Sequence, residues 1–218
     1  MNFEEFLGLM DILLGENGCP WDKEQTHESL RQYLLEECYE TIEAIDQRDP
    51  AALCEELGDV LLQVVFHAKL AEKSGTFSIA DVLAGISHKL VSRHTHVFGE
   101  DNASNSDDVV KIWNANKAKE KPVSPSDSMR AVPRALPALV RAGKVISRSS
   151  KIVPTHEEIK SNIANKLSHV SCCGGDDIMR NEQFGEILLL MAMLANILGI
   201  NAEFSLTNAV DTFINMDS

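Results

Sequence analysis

LCEELGDVLLQVVFHA, residues Leu53 to Ala68, is too apolar for a surface helix and too acidic for an ordinary core helix. Projected at about 100° per residue, Glu56, Asp59, Gln63 and His67 fall within one arc of roughly 80°, and Leu57, Val60, Leu61, Leu62, Val64, Val65 and Phe66 take the rest. A polar stripe this narrow on so wide an apolar face predicts a core helix whose carboxylates look into an enclosed space. Carboxylates in such a place need a partner.

Outward from this stretch the chain reads as all helical. It has no sustained period-2 alternation and no Asn-Gly or Asp-Gly hairpin turn between β-branched runs. The pattern predicts helices over about Phe3 to Leu14, His27 to Gln47 and Pro50 to Lys73. Two more follow, one after Ser78 ending near His94 and one over Ser106 to Lys119. The loop GENGCPWDKEQT interrupts the first two. The Pro- and Ser-containing stretch from Glu120 to Ser128 is the best boundary. Beyond it, helices are expected over Pro133 to Ser149, His156 to Val170, Ile178 to Leu198 and Ala202 to Met216. This divides the chain into residues 1–121, a linker over 122–132, and residues 133–218.

A weak internal repeat links the halves. EELGDVLLQVVFHA and EQFGEILLLMAMLA (Glu182 to Ala195) share an acid, an apolar residue, a glycine, an acid and then a long apolar run. The second half reads as a diverged copy of the first.

Just upstream of the opening stretch lies YLLEECYETIEAI, where Glu37 and Glu40 are three apart and so share a helix face, as do Glu56 and Asp59 on the next helix. The short QRDP connection makes the two helices antiparallel and sets the acidic pairs opposite each other. Four like charges in one cavity raise one another's pKa, and a divalent cation removes the conflict. All-oxygen ligands without cysteine suit Mg²⁺ or Mn²⁺, and Mg²⁺ commonly pairs carboxylates with substrate phosphates. The spacing thus suggests metal-assisted phosphate chemistry. Acidic pairs at this spacing are more often solvated surface, which is the reading for Glu28, Glu43 and Glu72. A di-iron bundle would need a Glu-x-x-His pair on each of two helices, and none stands here.

Composition narrows the function classes. The chain has 218 residues, 44% of them hydrophobic, and a formal net charge of -13. That charge disfavours duplex nucleic acid or an anionic membrane as the main partner, and no apolar run reaches membrane-spanning length. The five cysteines, at 19, 38, 54, 172 and 173, have no CxxC spacing and indicate neither a disulfide framework nor a zinc site. The acidic start MNFEEF lacks the basic character of a signal peptide, so a cytoplasmic protein is expected.

Three motifs in order carry a resemblance: GCPWDKEQTHESLRQYLLEECYETIEAI, EELGDVLLQVVFHAKLAE and KLVSRHTHVFG. The chain resembles the MazG family of nucleoside triphosphate pyrophosphohydrolases, in the all-α NTP pyrophosphatase superfamily, closely over Phe3 to Lys121 and loosely beyond. The resemblance implies Mg²⁺-dependent hydrolysis of a nucleoside triphosphate to the monophosphate and pyrophosphate. It implies Glu37, Glu40, Glu56 and Asp59 as metal ligands, with Glu36 as a supporting acid that orients water. Water, activated by the metal or held by a carboxylate, would attack phosphorus in line with no covalent nucleophile. The family also implies a homodimer; the apolar run ILLLMAMLANILGI fits such an interface and equally fits an intrachain core.

Substrate contacts are read partly from the same resemblance. It sets the GCPWDKEQT loop beside the nucleotide and so favours Trp21, with Lys23 and Gln25, over Trp113 as the base contact, although burial in a helical core is the commoner fate of a tryptophan. Lys89 and Arg93, four apart at the end of their helix, are expected to meet the triphosphate, although a solvated basic turn fits the same spacing. Lys117, one turn after Trp113, is a further phosphate candidate. Where family members often carry RRHPHVFG this chain has SRHTHVFG, so Ser92 and Thr95 depart from the pattern. His94 and His96 form an HxH that suits a structural or dimer-contact role better than metal ligation, and His67 suits a supporting or core role.

In the second half, Asn162 and Asn165 stand where the first has Glu37 and Glu40, and Gln183 replaces Glu56 while Glu186 stands for Asp59. Amides lack the charge that holds Mg²⁺, so this half is expected to be catalytically dead and retained for packing. The alternative for the whole chain is a non-catalytic helical regulatory or partner-binding module that keeps the fold.

Overall fold

The computed structural model describes residues 2–120, 124–149, 154–172 and 177–216, and among these it contains twelve helices and no strand. The protein is all-α. In chain order the helices are α1 (Phe3–Leu14), α2 (Pro20–Glu24), α3 (Arg31–Gln47), α4 (Pro50–Lys73), α5 (Ile79–Arg93) and α6 (Thr95–Phe98), followed by α7 (Ser106–Glu120), α8 (Pro125–Arg130), α9 (Ala138–Arg148), α10 (His156–Cys172), α11 (Asp177–Ile197) and α12 (Ala202–Met216). They form two compact units, Met1–Lys117 and Ala118–Ser218.

Local chemistry sets many of the helix starts. Side chains of Asn2, Asp49, Ser78 and Ser124 accept from the free amides of the first turns of α1, α4, α5 and α8, and Pro50 and Pro125 occupy first-turn positions where no amide is needed. The α3–α4 turn is a tight connection of two residues. Arg48 takes a left-handed conformation (φ 56°), the Asp49 amide donates to the Ala44 carbonyl at 3.1 Å, and Asp49 caps the helix that follows. Gly18 closes the loop between α1 and α2: a Cβ there would lie 2.1 Å from the Leu13 carbonyl oxygen, so no larger residue fits without moving backbone.

Some boundaries differ from the sequence expectation. α3 begins at Arg31 and not at His27, because Thr26 and Ser29 exchange side chain to amide hydrogen bonds and hold residues 26–30 as a separate turn. The stretch 122–132, expected as linker, contains α8, which Ser124 caps and which belongs to the second unit; residues 121–123 lie outside the described residues. α9 starts at Ala138, after Pro137, and not at Pro133. The short α2 and α6 fall in stretches whose Gly, Pro and polar content reads as loop.

The core of the first unit is built where α1, the 26–30 turn and α4 meet. Met10, Leu30, Val65 and Phe66 are buried there, with Phe6, Tyr33, Leu62 and Ile79 packed around them. Burial on α4 begins only at Gln63. Leu57 and Leu61 in its first half are 52% and 41% exposed and Val64 is exposed as well, so of the apolar face expected in a core it is Val65 and Phe66 that are buried there, with Leu62 packed against them. In the second unit the buried set includes Val132, Ile146, Ile159, Ile187 and Ala192. Among the described residues no single helix is long and apolar enough to cross a membrane, and the one pair that together passes on length and composition, α11 with α12, is bent by 108°.

Leu30→Ala is expected to lower the unfolding free energy of the first unit by about 2–5 kcal/mol, since it empties a fully enclosed side-chain site. Denaturant titration followed by circular dichroism measures the loss; a change within the error of the wild type would show that the site collapses freely.

Candidate functional site

Two antiparallel helices and one tight turn bring the acids together. Glu37, Glu56 and Asp59 are half-buried, and each offers a carboxylate oxygen within 4.8 Å of the other two. Glu40, one turn on from Glu37, is exposed but interacts with both Glu37 and Glu56. The group therefore behaves as one electrostatic unit. Partial burial, then repulsion from Asp59 and the interaction with Glu40, push the Glu37 carboxyl above the usual carboxylate range. Glu56 is raised in the same way, by desolvation first and then by Glu40, Asp59 and its neighbour Glu55. Glu36 is exposed on α3, outside the closest three.

The rest of the polar stripe on α4 continues beyond the acids. Gln63 is only 6% exposed, and its Oε1 has no hydrogen-bond partner among the described residues. His67, one turn further, meets His27 of the 26–30 turn. The stripe is thus acidic toward the α3–α4 turn and neutral toward the core.

The residues expected around the acids fall into separate groups. Trp21 is 50% exposed and stands edge-on to Tyr33, with centroids 5.8 Å apart; Tyr33 is one turn before Glu37 on α3. Lys23 donates from Nζ to the Glu16 carbonyl at 2.9 Å and lines a cavity of about 390 Å³ with Asp11, Lys69, Glu72 and Lys73. Since Lys69 follows Asp59 by ten residues on α4, that cavity lies about 15 Å along the helix from the acids. Gln25 is engaged within its own loop, donating to the Trp21 carbonyl at 2.9 Å and accepting from Ser29 Oγ at 2.7 Å.

A second assembly forms where α5, α6 and α7 meet. The Arg93 guanidinium sits 5.1 Å from the Trp113 ring centroid, and the His94 ring stands edge-on to the same indole at 4.9 Å. Lys89 and Lys117 are exposed. Trp113 and Arg93 are twenty residues apart on different helices, so no local signal in the sequence joins them. Thr95, a departure from the family motif, works structurally: its hydroxyl donates to Asp101 and accepts from Asn116 Nδ2 at 2.7 Å, tying α6 to α7. His96 buries its Nδ1 without a hydrogen-bond partner among the described residues.

The corresponding place in the second unit is arranged differently. Glu186 on α11, which aligns with Asp59, is paired with the Lys166 ammonium of α10, and Asn162 and Asn165 are exposed on the same helix. An internal cation stands where the first unit gathers acids.

A family model described as the MazG nucleotide pyrophosphohydrolase domain matches residues 25–98, a span that holds all four acids of the cluster. Over 215 residues the chain is 38% identical to the nucleoside triphosphate pyrophosphohydrolase/pyrophosphatase MazG of Thermotoga maritima, covering 97% of this chain and 82% of that protein. It is also 38% identical over 206 residues to a nucleoside triphosphate pyrophosphohydrolase of Escherichia coli, covering 91% of this chain and 78% of the other. An uncharacterized protein of Bacillus subtilis, YabN, is 50% identical over 143 residues, a match spanning 66% of this chain and 29% of YabN. With its helical fold, its acidic hairpin inside the matched span and this similarity over nearly its full length, the chain belongs to the MazG family of nucleotide pyrophosphohydrolases.

Proposed function

We propose that this chain hydrolyses nucleoside triphosphates to the monophosphate and pyrophosphate, with Mg²⁺ held by the acids of α3 and α4. The observation that carries the reading is the convergence of Glu37, Glu56 and Asp59 oxygens within 4.8 Å, inside the span matched by the family. The donor set fits the ion: three carboxylates and no nitrogen or sulfur ligand favour a hard cation, Mg²⁺ or Mn²⁺. Bound there, the cation would supply positive charge against the triphosphate and make water a better nucleophile.

The chain's own residues supply the rest. Glu37, Glu40, Glu56 and Asp59 hold the ion, and Glu36 accepts a hydrogen bond from the attacking water and orients it. Arg93, braced by Trp113, meets the triphosphate together with Lys89 and Lys117. Trp21 offers a half-exposed ring to the base and stands edge-on to Tyr33, the residue one helical turn before Glu37. Gln25 and Lys23 act through the loop, whose carbonyls they bind, and so set where Trp21 stands.

Homodimer formation belongs to the same proposal. Leu35 and Tyr39 on α3, Leu57 and Leu61 on α4, and Ile86 and Leu90 on α5 remain exposed, more apolar surface than a lone unit of this size leaves to water without use. A second copy would cover it. We also place the protein in the cytoplasm, where its nucleotide substrates are, with neither nucleic acid nor membrane as partner, in keeping with the net charge of -13.

For the second unit the non-catalytic reading is the better one, and the Lys166 to Glu186 pair favours it. An ammonium already neutralises the one acid retained there, so no cation is needed to hold α10 and α11 together.

Three outcomes follow from this reading. Glu56→Gln or Asp59→Asn is expected to cut pyrophosphate release by at least about 100-fold with helicity unchanged by circular dichroism; full activity in either variant would end the assignment. Without metal, Glu37 and Glu56 bind protons in the folded state at pH values where the unfolded chain has released them, so stability falls as pH rises through that window. Scanning calorimetry should therefore show metal-free Glu56→Gln at least as stable as the wild type at neutral pH, and Mg²⁺ stabilising the wild type alone. Leu61→Glu should halve the molecular mass seen by light scattering, and an unchanged mass would exclude this face as the dimer contact.

A further inference from the structure

Two histidines outside the acidic cluster meet nitrogen to nitrogen. His27 lies in the turn before α3 and His67 in the second half of α4, with their Nδ1 atoms 2.8 Å apart. The ring planes are within 8° of parallel and the centroids are 5.1 Å apart. That centroid separation exceeds the nitrogen separation by one ring diameter. The rings must therefore lie edge to edge in a common plane, with the lone pair of one Nδ1 aimed along the N–H of the other.

Such a contact holds one proton. With none between them the two nitrogen lone pairs would repel, and with two the N–H groups would. The charged side chains nearest along the elements packed here are Glu24 on α2, Glu28 and Arg31 around the turn, and Lys69 on α4, which is tied to Asp11 of α1 and to Glu72. Among the described residues none of them pairs with either ring. Burial and the adjoining His27 both lower the proton affinity of His67 below the ordinary histidine range.

The pair sits at a mechanically useful place. α3 and α4 are joined covalently at Arg48 and Asp49, and His27 and His67 bridge the opposite, open end of the hairpin. The four acids lie between. Sliding α3 by one residue would shift it about 1.5 Å along its axis and turn it about 100°, which the in-plane bond does not survive. We propose that His27 and His67 are positioning residues: by sharing one proton between their Nδ1 atoms they pin the open end of the α3–α4 hairpin and hold the acids in register. This rests on reading those acids as the metal site.

A proton count follows from the ring chemistry. In the neutral pair, the first added proton goes to the free Nε2 of the donor ring and leaves the bond charge-assisted. A second has only the bonded Nδ1 to occupy, and it opens the pair. The latch thus tolerates one positive charge and fails at two.

The test compares the wild type with His67→Asn and His67→Phe. Asparagine places an amide group where Nδ1 stood, so it keeps a hydrogen bond to His27 without titrating; phenylalanine keeps the bulk and no bond. Amide hydrogen exchange over residues 26–31 and 60–67, corrected for intrinsic rates, is measured without metal at about pH 7 and about pH 5. Mg²⁺ affinity is measured by calorimetry at the same two values. In the wild type, exchange is expected to rise about three- to tenfold at the lower pH, the size expected for one lost hydrogen bond. His67→Asn should show no such rise, and His67→Phe should be raised at both pH values. Mg²⁺ affinity at neutral pH should be near wild type in His67→Asn and weaker in His67→Phe by a similar factor. An acid response in His67→Asn equal to the wild type, or wild-type exchange in His67→Phe at neutral pH, overturns the latch. Equal Mg²⁺ affinity in all three proteins overturns its positioning role. Absence of Mg²⁺ binding by the wild type would instead sink the metal-site reading, and the exchange data would still decide the latch.

Discussion

Like charges held close together by a helical hairpin are the constraint around which the first unit is organised. Glu37, Glu56 and Asp59 repel one another at under 5 Å, partly withdrawn from water, and the chain gains nothing from this arrangement as a fold. Apolar packing elsewhere has to hold the hairpin against that repulsion. It does so at one end only: Val65, Phe66, Ala68 and Ala71 anchor the second half of α4 in the core, while the acidic first half projects away from it. The short turn at Arg48 and Asp49 closes the other end. A site that costs stability is thereby confined between two features that supply it.

The two units offer an internal comparison of packing and chemistry. Both contain a long helical hairpin, α3 with α4 and α10 with α11, and both carry a glycine and an apolar run at corresponding places. In the second unit three of the four acidic positions are amides and the fourth acid is bound by Lys166. A hairpin freed of its charge conflict needs no external cation. The glycine and the apolar run persist in both hairpins while most of the acids do not.

Much of the fold was legible in local signals. The long helices α1, α4, α5, α7, α11 and α12 lie close to where periodicity and capping residues predict, since Asn2, Asp49 and Ser78 mark their starts with chemistry that acts within four residues. The shorter elements were not legible. α2, α6 and α8 occur in stretches rich in Gly, Pro, Ser and polar residues, and the separate turn before α3 depends on the reciprocal Thr26 and Ser29 bonds. The acidic grouping was legible because i,i+3 spacing on two helices joined by four residues leaves little freedom. The Arg93–Trp113–His94 assembly and the engagement of Lys23 and Gln25 with their own loop were not, because each depends on how nonadjacent segments meet.

Taken alone, the sequence determined the helical class and the antiparallel pairing of the acidic helices, since these follow from periodicities and spacings that act over one or two turns, and its three ordered motifs carry the resemblance to the family. Tertiary structure alone decided which apolar faces of those helices are covered. It showed the polar stripe of Leu53 to Ala68 divided between half-buried acids, a buried Gln63 and a His67 that meets His27. It also set two imidazoles forty residues apart in one plane. Such outcomes depend on the relative placement of helices to within an ångström, and a hydrogen bond or a carboxylate cluster forms only at that precision, which no one-dimensional pattern carries.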